Sequence, residues 1–264
     1  MTRLESRYSS QLSAGLGAVP ETLELLRLWT PGTPASQLVD TAVESGTFSR
    51  ATARRTRNLV AEMFAPRYLC DGGTPAERLK FLMGHRLPHE ALVQTLLLHT
   101  CRAQPMLADF IIEVYWPKYS GGATSLLKAD AEGFIRRALD GGKMAAKWSP
   151  STIDRQAGHL VGCCLDFGLV SKGKGSVRTI QRFAIRRETA LYLAHDLHFA
   201  GASDMALVQH LDWRLFGYEP QEVVRQLRTL GDDGHLIVQS SGELVQISWK
   251  YKSMEDCLNA LAQR

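Results

Sequence analysis

Apolar residues return every three or four positions through most of this chain and alternate only in short runs beside glycines. Helices are therefore expected throughout, with small hairpins between some of them. Residues 21–29 turn Leu23, Leu25 and Leu26 inward before Thr30-Pro31-Gly32-Thr33-Pro34 breaks the pattern. Residues 35–44 form a short helix with Leu38, Ala42 and Val43 on its apolar side. After the turn at Ser45-Gly46-Thr47-Phe48, Ser49 is placed to cap a helix running to Phe64, with Ala53, Thr56, Val60, Met63 and Phe64 as its buried stripe. Residues 74–139 read as a helical block, its first three helices opened by Thr74-Pro75, Pro88 and Pro105. The second of these is apolar nearly all round (Ala91, Leu92, Thr95, Leu96, Leu98), as a central buried helix is. The third carries Phe110, Ile111, Val114 and Tyr115 and should stop at Trp116-Pro117, because the residue before proline avoids the α region. A further helix covers 126–139, and Asp140-Gly141-Gly142-Lys143 is the expected linker.

Beyond that linker the period changes from helix to strand twice. Ser149 or Ser151 can cap a helix that Pro150 opens. Its apolar stripe is Ile153, Ala157, Leu160, Val161, Cys164 and Leu165, with Thr152, Arg155, Gln156 and His159 on the other side. Asp166-Phe167-Gly168 ends it, and two strands, Leu169-Val170 and residues 178–185, flank Lys172-Gly173-Lys174-Gly175. Helix, tight turn and basic hairpin make up the reading half of a winged helix-turn-helix. After helices over 188–199 and 203–210, the pattern recurs. Glu219-Pro220 opens a helix with Val223, Val224, Leu227 and Leu230 inside, 231–234 stop it, and strands at 235–238 and 244–249 meet across Ser240-Ser241-Gly242-Glu243. A last helix from Ser253 buries Met254, Cys257, Leu258 and Leu261. The expected fold is mainly α. A helical N-terminal bundle (1–140) with a helix-turn-helix-like element precedes a C-terminal domain (141–264) of two winged-helix-like units with short β-hairpins.

Charge adds a local accent rather than a global one. Lys and Arg number 31 against 27 Asp and Glu, a net of +4. Yet no carboxylate falls between Ser49 and Ala61, where Arg50, Arg54, Arg55 and Arg57 stand. None falls between Asp166 and Glu188, a run holding Lys172, Lys174, Arg178, Arg182, Arg186 and Arg187. One-signed surfaces of this kind attract a polyanion. Arg50, Arg54, Arg55, Arg57, Lys172, Lys174, Arg178 and Arg182 are the candidate phosphate contacts, and Thr152, Arg155, Gln156 and His159 the candidate base or phosphate contacts. The plainer alternative is a solvated basic face on a bundle helix, with winged helices used to dock proteins. The second hairpin, serine-rich with Glu243, follows a helix mixing Glu219 and Glu222 with Arg225 and Arg228, which suits a protein partner better than phosphate.

Catalytic signatures are missing. His85 and His89 are separated by Pro88, Glu90 lacks the HExxH spacing, and His195 with His198 has no third ligand at a diagnostic distance. Gly173-Lys174-Gly175-Ser176 lacks the full phosphate-loop pattern, as does Gly141-Gly142-Lys143, and no GxSxG occurs. Five cysteines without CxxC spacing indicate buried thiols in a reducing cytoplasm rather than a disulfide or zinc framework. No leader or membrane-spanning run is read, the most apolar segments being interrupted by His99, Asp109 and Glu113. A non-enzymatic protein without metal or cofactor is expected.

Four pieces then carry a family resemblance: GTFSRATARRTRNLVAEMFAPRYL (46–69), ADFIIEVYWPKY (108–119), WSPSTIDRQAGHLVGCCLDFGLV (148–170) and DDGHLIVQSSGELVQISWKYKSMEDCLNAL (232–261). The chain resembles BrxA, the small component of bacterial BREX phage-exclusion systems. The resemblance implies a mostly helical, non-enzymatic protein that binds double-stranded DNA beside a methyltransferase, an ATPase and other BREX proteins. It also implies a distant likeness to the antitermination factor NusB, which keeps RNA binding open beside a protein adaptor role.

Overall fold

The computed structural model describes residues 8–9, 17–48, 51–85, 87–144, 146–175, 177–242 and 244–263. These residues are mainly helical with two small antiparallel sheets among them, and the chain divides into two compact units. The first holds residues 1–77 and 99–183, the second 78–98 and 184–264. The boundary expected at 140/141 falls inside the first unit. There Gly141 and Gly142 form a turn between two helices packed on each other, α9 (Lys128–Asp140) and α10 (Pro150–Asp166).

The first unit begins with α1 (Val19–Leu28) and α2 (Ala35–Glu44), then α3 (Ala53–Asn58), which continues through a π segment (Leu59–Phe64) into α4 (Ala65–Tyr68). α2 packs on α3 and the π segment, and α1 packs on both α2 and the π segment. The start of α3 differs from expectation. Thr52 is the cap, its hydroxyl accepting the Arg55 N–H at 3.2 Å, while Ser49 lies outside the described residues. Ala53 is exposed, and Leu59 joins Thr56, Val60, Met63 and Phe64 in the core.

Among the described residues two prolines stand inside continuous helix, each separated by one residue from the π segment before it. Pro66 follows Leu59–Phe64, and Pro117 follows Ile111–Tyr115. Proline has no N–H to give to the carbonyl four residues back, and its ring crowds that carbonyl. A wider turn relieves both problems. The stop expected at Trp116-Pro117 therefore does not occur. α7 (Pro105–Phe110) runs through the π segment into α8 (Trp116–Ser120) and ends at Gly121-Gly122.

The helix expected from 126 is likewise corrected: Ser125–Leu126 form a strand, β1. It pairs antiparallel with β3 (Arg178–Ile180), which also pairs with β2 (Val170–Lys172), giving the order β1-β3-β2. α9 follows β1 and α10 leads into β2, so the sequence of elements is helix, strand, helix, helix, hairpin. Ser149 caps α10, accepting the Thr152 N–H at 3.2 Å. Gly168, at φ 75, turns the chain out of the helix, and Tyr115 Oη donates to the Leu169 carbonyl at 3.0 Å to hold the start of the hairpin. β3 ends at Ile180 rather than at 185.

The second unit contains residues 78–98 of α5 (Thr74–Gly84) and α6 (His89–Ala103), then α11 (Arg187–Phe199), α12 (Asp204–Val208), a 3-10 segment (Leu211–Phe216), α13 (Pro220–Asp232), β4 (Leu236–Ser241), β5 (Leu244–Trp249) and α14 (Met254–Ala262). α11 packs against α12, α13 and α14. Gln94, buried on α6, is used at both ends of its amide: Nε2 donates to the Ala184 carbonyl at 2.9 Å and Oε1 accepts the Arg186 N–H at 2.7 Å. β4 and β5 form the expected two-stranded sheet, from Leu236↔Trp249 to Ser241↔Leu244, but β4 runs on to Ser241, so Ser240 and Ser241, expected in the tip, are paired.

Candidate nucleic-acid interface

The candidate cations that can be placed all lie in the first unit. Arg54, Arg55 and Arg57 are exposed on α3; Arg50 lies outside the described residues. Lys172 and Lys174 on the hairpin, and Arg182 two residues beyond β3, are exposed. Lys172 and Arg178 face each other across β2 and β3, and Gly173 N–H donates to the Val177 carbonyl at 3.0 Å to close the tip, where Gly175 takes φ 62. Arg178 is only partly exposed. Its Nη1 donates to its neighbour's carbonyl at Val177 (3.2 Å) and its Nε is shut from solvent.

α10 presents Ser151, Asp154, Arg155 and Gly158 to solvent, with Thr152 and His159 at the margin. Gln156 is a correction. It is 0% exposed, so it cannot reach a base or phosphate. Position 156 lies three residues after Ile153 and four before Leu160, both core residues, and the helix carries its amide inward whatever its polarity. Asp154, the one carboxylate among these exposed positions, is ion-paired to Lys128 Nζ of α9. His159 has its Nδ1 enclosed, and burial, then the nearby Arg155 charge, pushes its pKa down from the usual histidine value.

Several other cations are charge-paired. Arg78, Lys118, Lys128, Lys143, Arg186, Arg187, Arg214 and Arg225 each meet a carboxylate. Among the described residues no carboxylate pairs with Arg54, Arg55, Arg57, Arg155, Lys172, Lys174 or Arg182. The basic run read from sequence as far as Arg187 is cut short by this criterion. Arg186 and Arg187 belong to the second unit, bound there to Glu90 and Asp233.

The second hairpin has a different surface. Arg225 pairs with Glu222, Arg228 hydrogen-bonds Ser240, and Ile237 and Leu244 are 62% and 74% exposed. By strand alternation both lie on the face of the hairpin opposite the buried Leu236 and Ile247. Among the described residues no set of three His, Cys, Asp or Glu is placed to hold a metal ion. Burial pushes the Cys163 and Cys257 thiols up to about 12, which keeps them protonated and unreactive at neutral pH. No helix of the described residues is long and apolar enough to cross a membrane.

No curated protein matches the chain. A solved structure titled "Crystal structure of an uncharacterized protein from Magnetospirillum magneticum" shares its fold, with 15% sequence identity and a TM-score of 0.58 over 80% of this chain and 98% of that one. The model of the BrxA family matches residues 6–196, which take in α3, α10 and the first hairpin. The chain thus belongs to the BrxA family and is a protein associated with BREX antiviral defence.

Proposed function

We propose that the protein is a non-catalytic component of a BREX system that binds double-stranded DNA in the cytoplasm and works beside other BREX proteins. The observation that carries this reading is the agreement between topology and charge in the first unit. A helix, the strand β1, helices α9 and α10 and the hairpin β2–β3, with sheet order β1-β3-β2, follow the element order expected of a winged helix, which supports the reading. Its second helix-turn-helix member, α10, and its wing carry Arg155, Lys172 and Lys174, with Arg182 two residues beyond β3, all without carboxylate partners among the described residues. In such modules the second helix enters the major groove while flanking cations hold phosphates. α2 and α3 make a shorter helix-turn-helix whose second member bears Arg54, Arg55 and Arg57.

Reversing Arg54, Arg55, Lys172 and Lys174 to Glu tests the reading. All four are exposed, so the melting temperature should hold while duplex affinity falls at least a hundredfold. Unchanged affinity in a folded variant would reject these surfaces. A second reading, an adaptor docking a protein partner, is favoured by the exposed Ile237 and Leu244 of the second hairpin. Pull-down with other BREX proteins, lost on Ile237→Ser with Leu244→Ser, would support it.

A further inference from the structure

Gly158 has no structural reason to be glycine. It lies inside the 17-residue helix α10, on its exposed side, and is not among the positive-φ glycines. A Cβ built there would meet nothing nearer than Lys128 Cε at 3.9 Å, an ordinary contact. A glycine in a helix interior is less favourable than alanine, because it leaves the backbone freer in the unfolded chain. The fold of this chain therefore gains nothing from the bare position. Its neighbours along the exposed side are Ser151, Asp154 and Arg155. Lys128 reaches over from α9 to Asp154, holding the one carboxylate of that strip and passing beside Gly158 as it does so. Arg155, one turn before Gly158, is exposed and has no carboxylate partner among the described residues. The strip thus combines a neutralised acid, a smooth patch of backbone and an open guanidinium.

We infer that α10 reads duplex DNA by base edge, Arg155 donating its forked N–H groups to a guanine in the major groove while bare Gly158 lets the helix backbone approach that closely. This rests on the DNA-binding reading above and adds sequence preference to it. An arginine fork matches the O6 and N7 acceptors that guanine alone offers in that groove. Lysine carries the same charge without the fork. A methyl at 158 would hold the helix away from the groove while improving it as a helix.

The test uses the full chain, a randomised duplex library and three proteins: wild type, Arg155→Lys and Gly158→Ala. Wild type should enrich sites with a fixed guanine. Arg155→Lys, which keeps the charge and loses the fork, should lose the guanine preference by tenfold or more. Gly158→Ala should melt at a higher temperature yet bind the enriched site at least tenfold more weakly. That pairing is what a purely structural glycine would not produce. If wild type binds every duplex equally, or both variants keep the preference, base reading by α10 is wrong and non-specific DNA binding stands. If wild type binds no duplex at low salt, the DNA reading itself fails and this inference goes with it.

Discussion

His195 sits wholly enclosed on α11, against His198 and Phe199 of the same helix, Trp249 of β5, and Tyr251 and His235 on the segments that flank the hairpin. Its Nδ1–H donates to the Leu191 carbonyl at 2.9 Å, so Nε2 is the bare acceptor of a neutral ring, and no partner meets it. Burial lowers its pKa to about 4. A histidine whose folded pKa lies below its unfolded one binds its proton more readily when unfolded. Its stabilising effect is complete above about pH 6.5 and is lost as pH falls from there to about 4. The loss is on the order of 3 kcal/mol. His195→Leu should therefore flatten the fall in denaturation midpoint between pH 7 and pH 4.5, and an unchanged fall would show that another group is responsible. Gly17 offers a second residue-scale check. Its N–H donates to Asp166 Oδ2 at 3.0 Å, and a Cβ there would lie 2.5 Å from Asp166 Cβ. Gly17→Ala should cost about 1–3 kcal/mol in urea unfolding. Residue type was the weakest guide to position at this scale. Gln156 and Arg67 are polar, yet both are enclosed, Arg67 at 1% exposure with Nη1 near the Gly17 carbonyl, because helical phase outweighs polarity in deciding which way a side chain points.

Helices were largely legible from their apolar period, and the exceptions have local causes. α10, α13 and α14 begin where their capping residues stand, at Ser149, Glu219 and Ser253. The run through Pro117 was not legible, because proline normally marks a stop and a π segment leaves no signature in the period. β1 was missed for a different reason: two residues, Ser125 and Leu126, are too short to show alternation. What defines β1 is its pairing with Thr179 and Arg178, more than fifty residues on. The cap of α10, left open between two serines by the sequence, is Ser149. Ser149→Ala should lower stability by about 1 kcal/mol, whereas Ser151→Ala, at an exposed position, should change it by a few tenths. Equal losses from the two would mean that both hydroxyls cap.

At the scale of the molecule, the chain divides by contact and not by composition. The glycine pair at 141–142 read as a linker because glycines often mark one, yet here they close a turn between packed helices. The division instead falls within α5 and α6 and after Phe183, inside segments that show no shift in composition. This changes the electrostatic picture. The candidate cations without carboxylates lie in the first unit, while Arg186 and Arg187 are paired in the second, where Lys250 and Lys252 are also exposed without a carboxylate. The sequence showed both basic runs but could not show where pairing ends one of them. Membership of the BrxA family spans the unit that carries the cations and stops within α11 of the other.

If these cations hold a duplex, its binding depends steeply on salt. Each phosphate neutralised releases condensed counterions, so about six contacts predict a log–log slope near −5, roughly a thousandfold loss of affinity between 50 and 200 mM salt. A titration of the purified protein against duplex DNA, single strands and RNA should give that slope with the duplex bound most tightly. No duplex binding at low salt, a slope near zero, or tighter binding to RNA would contradict the account.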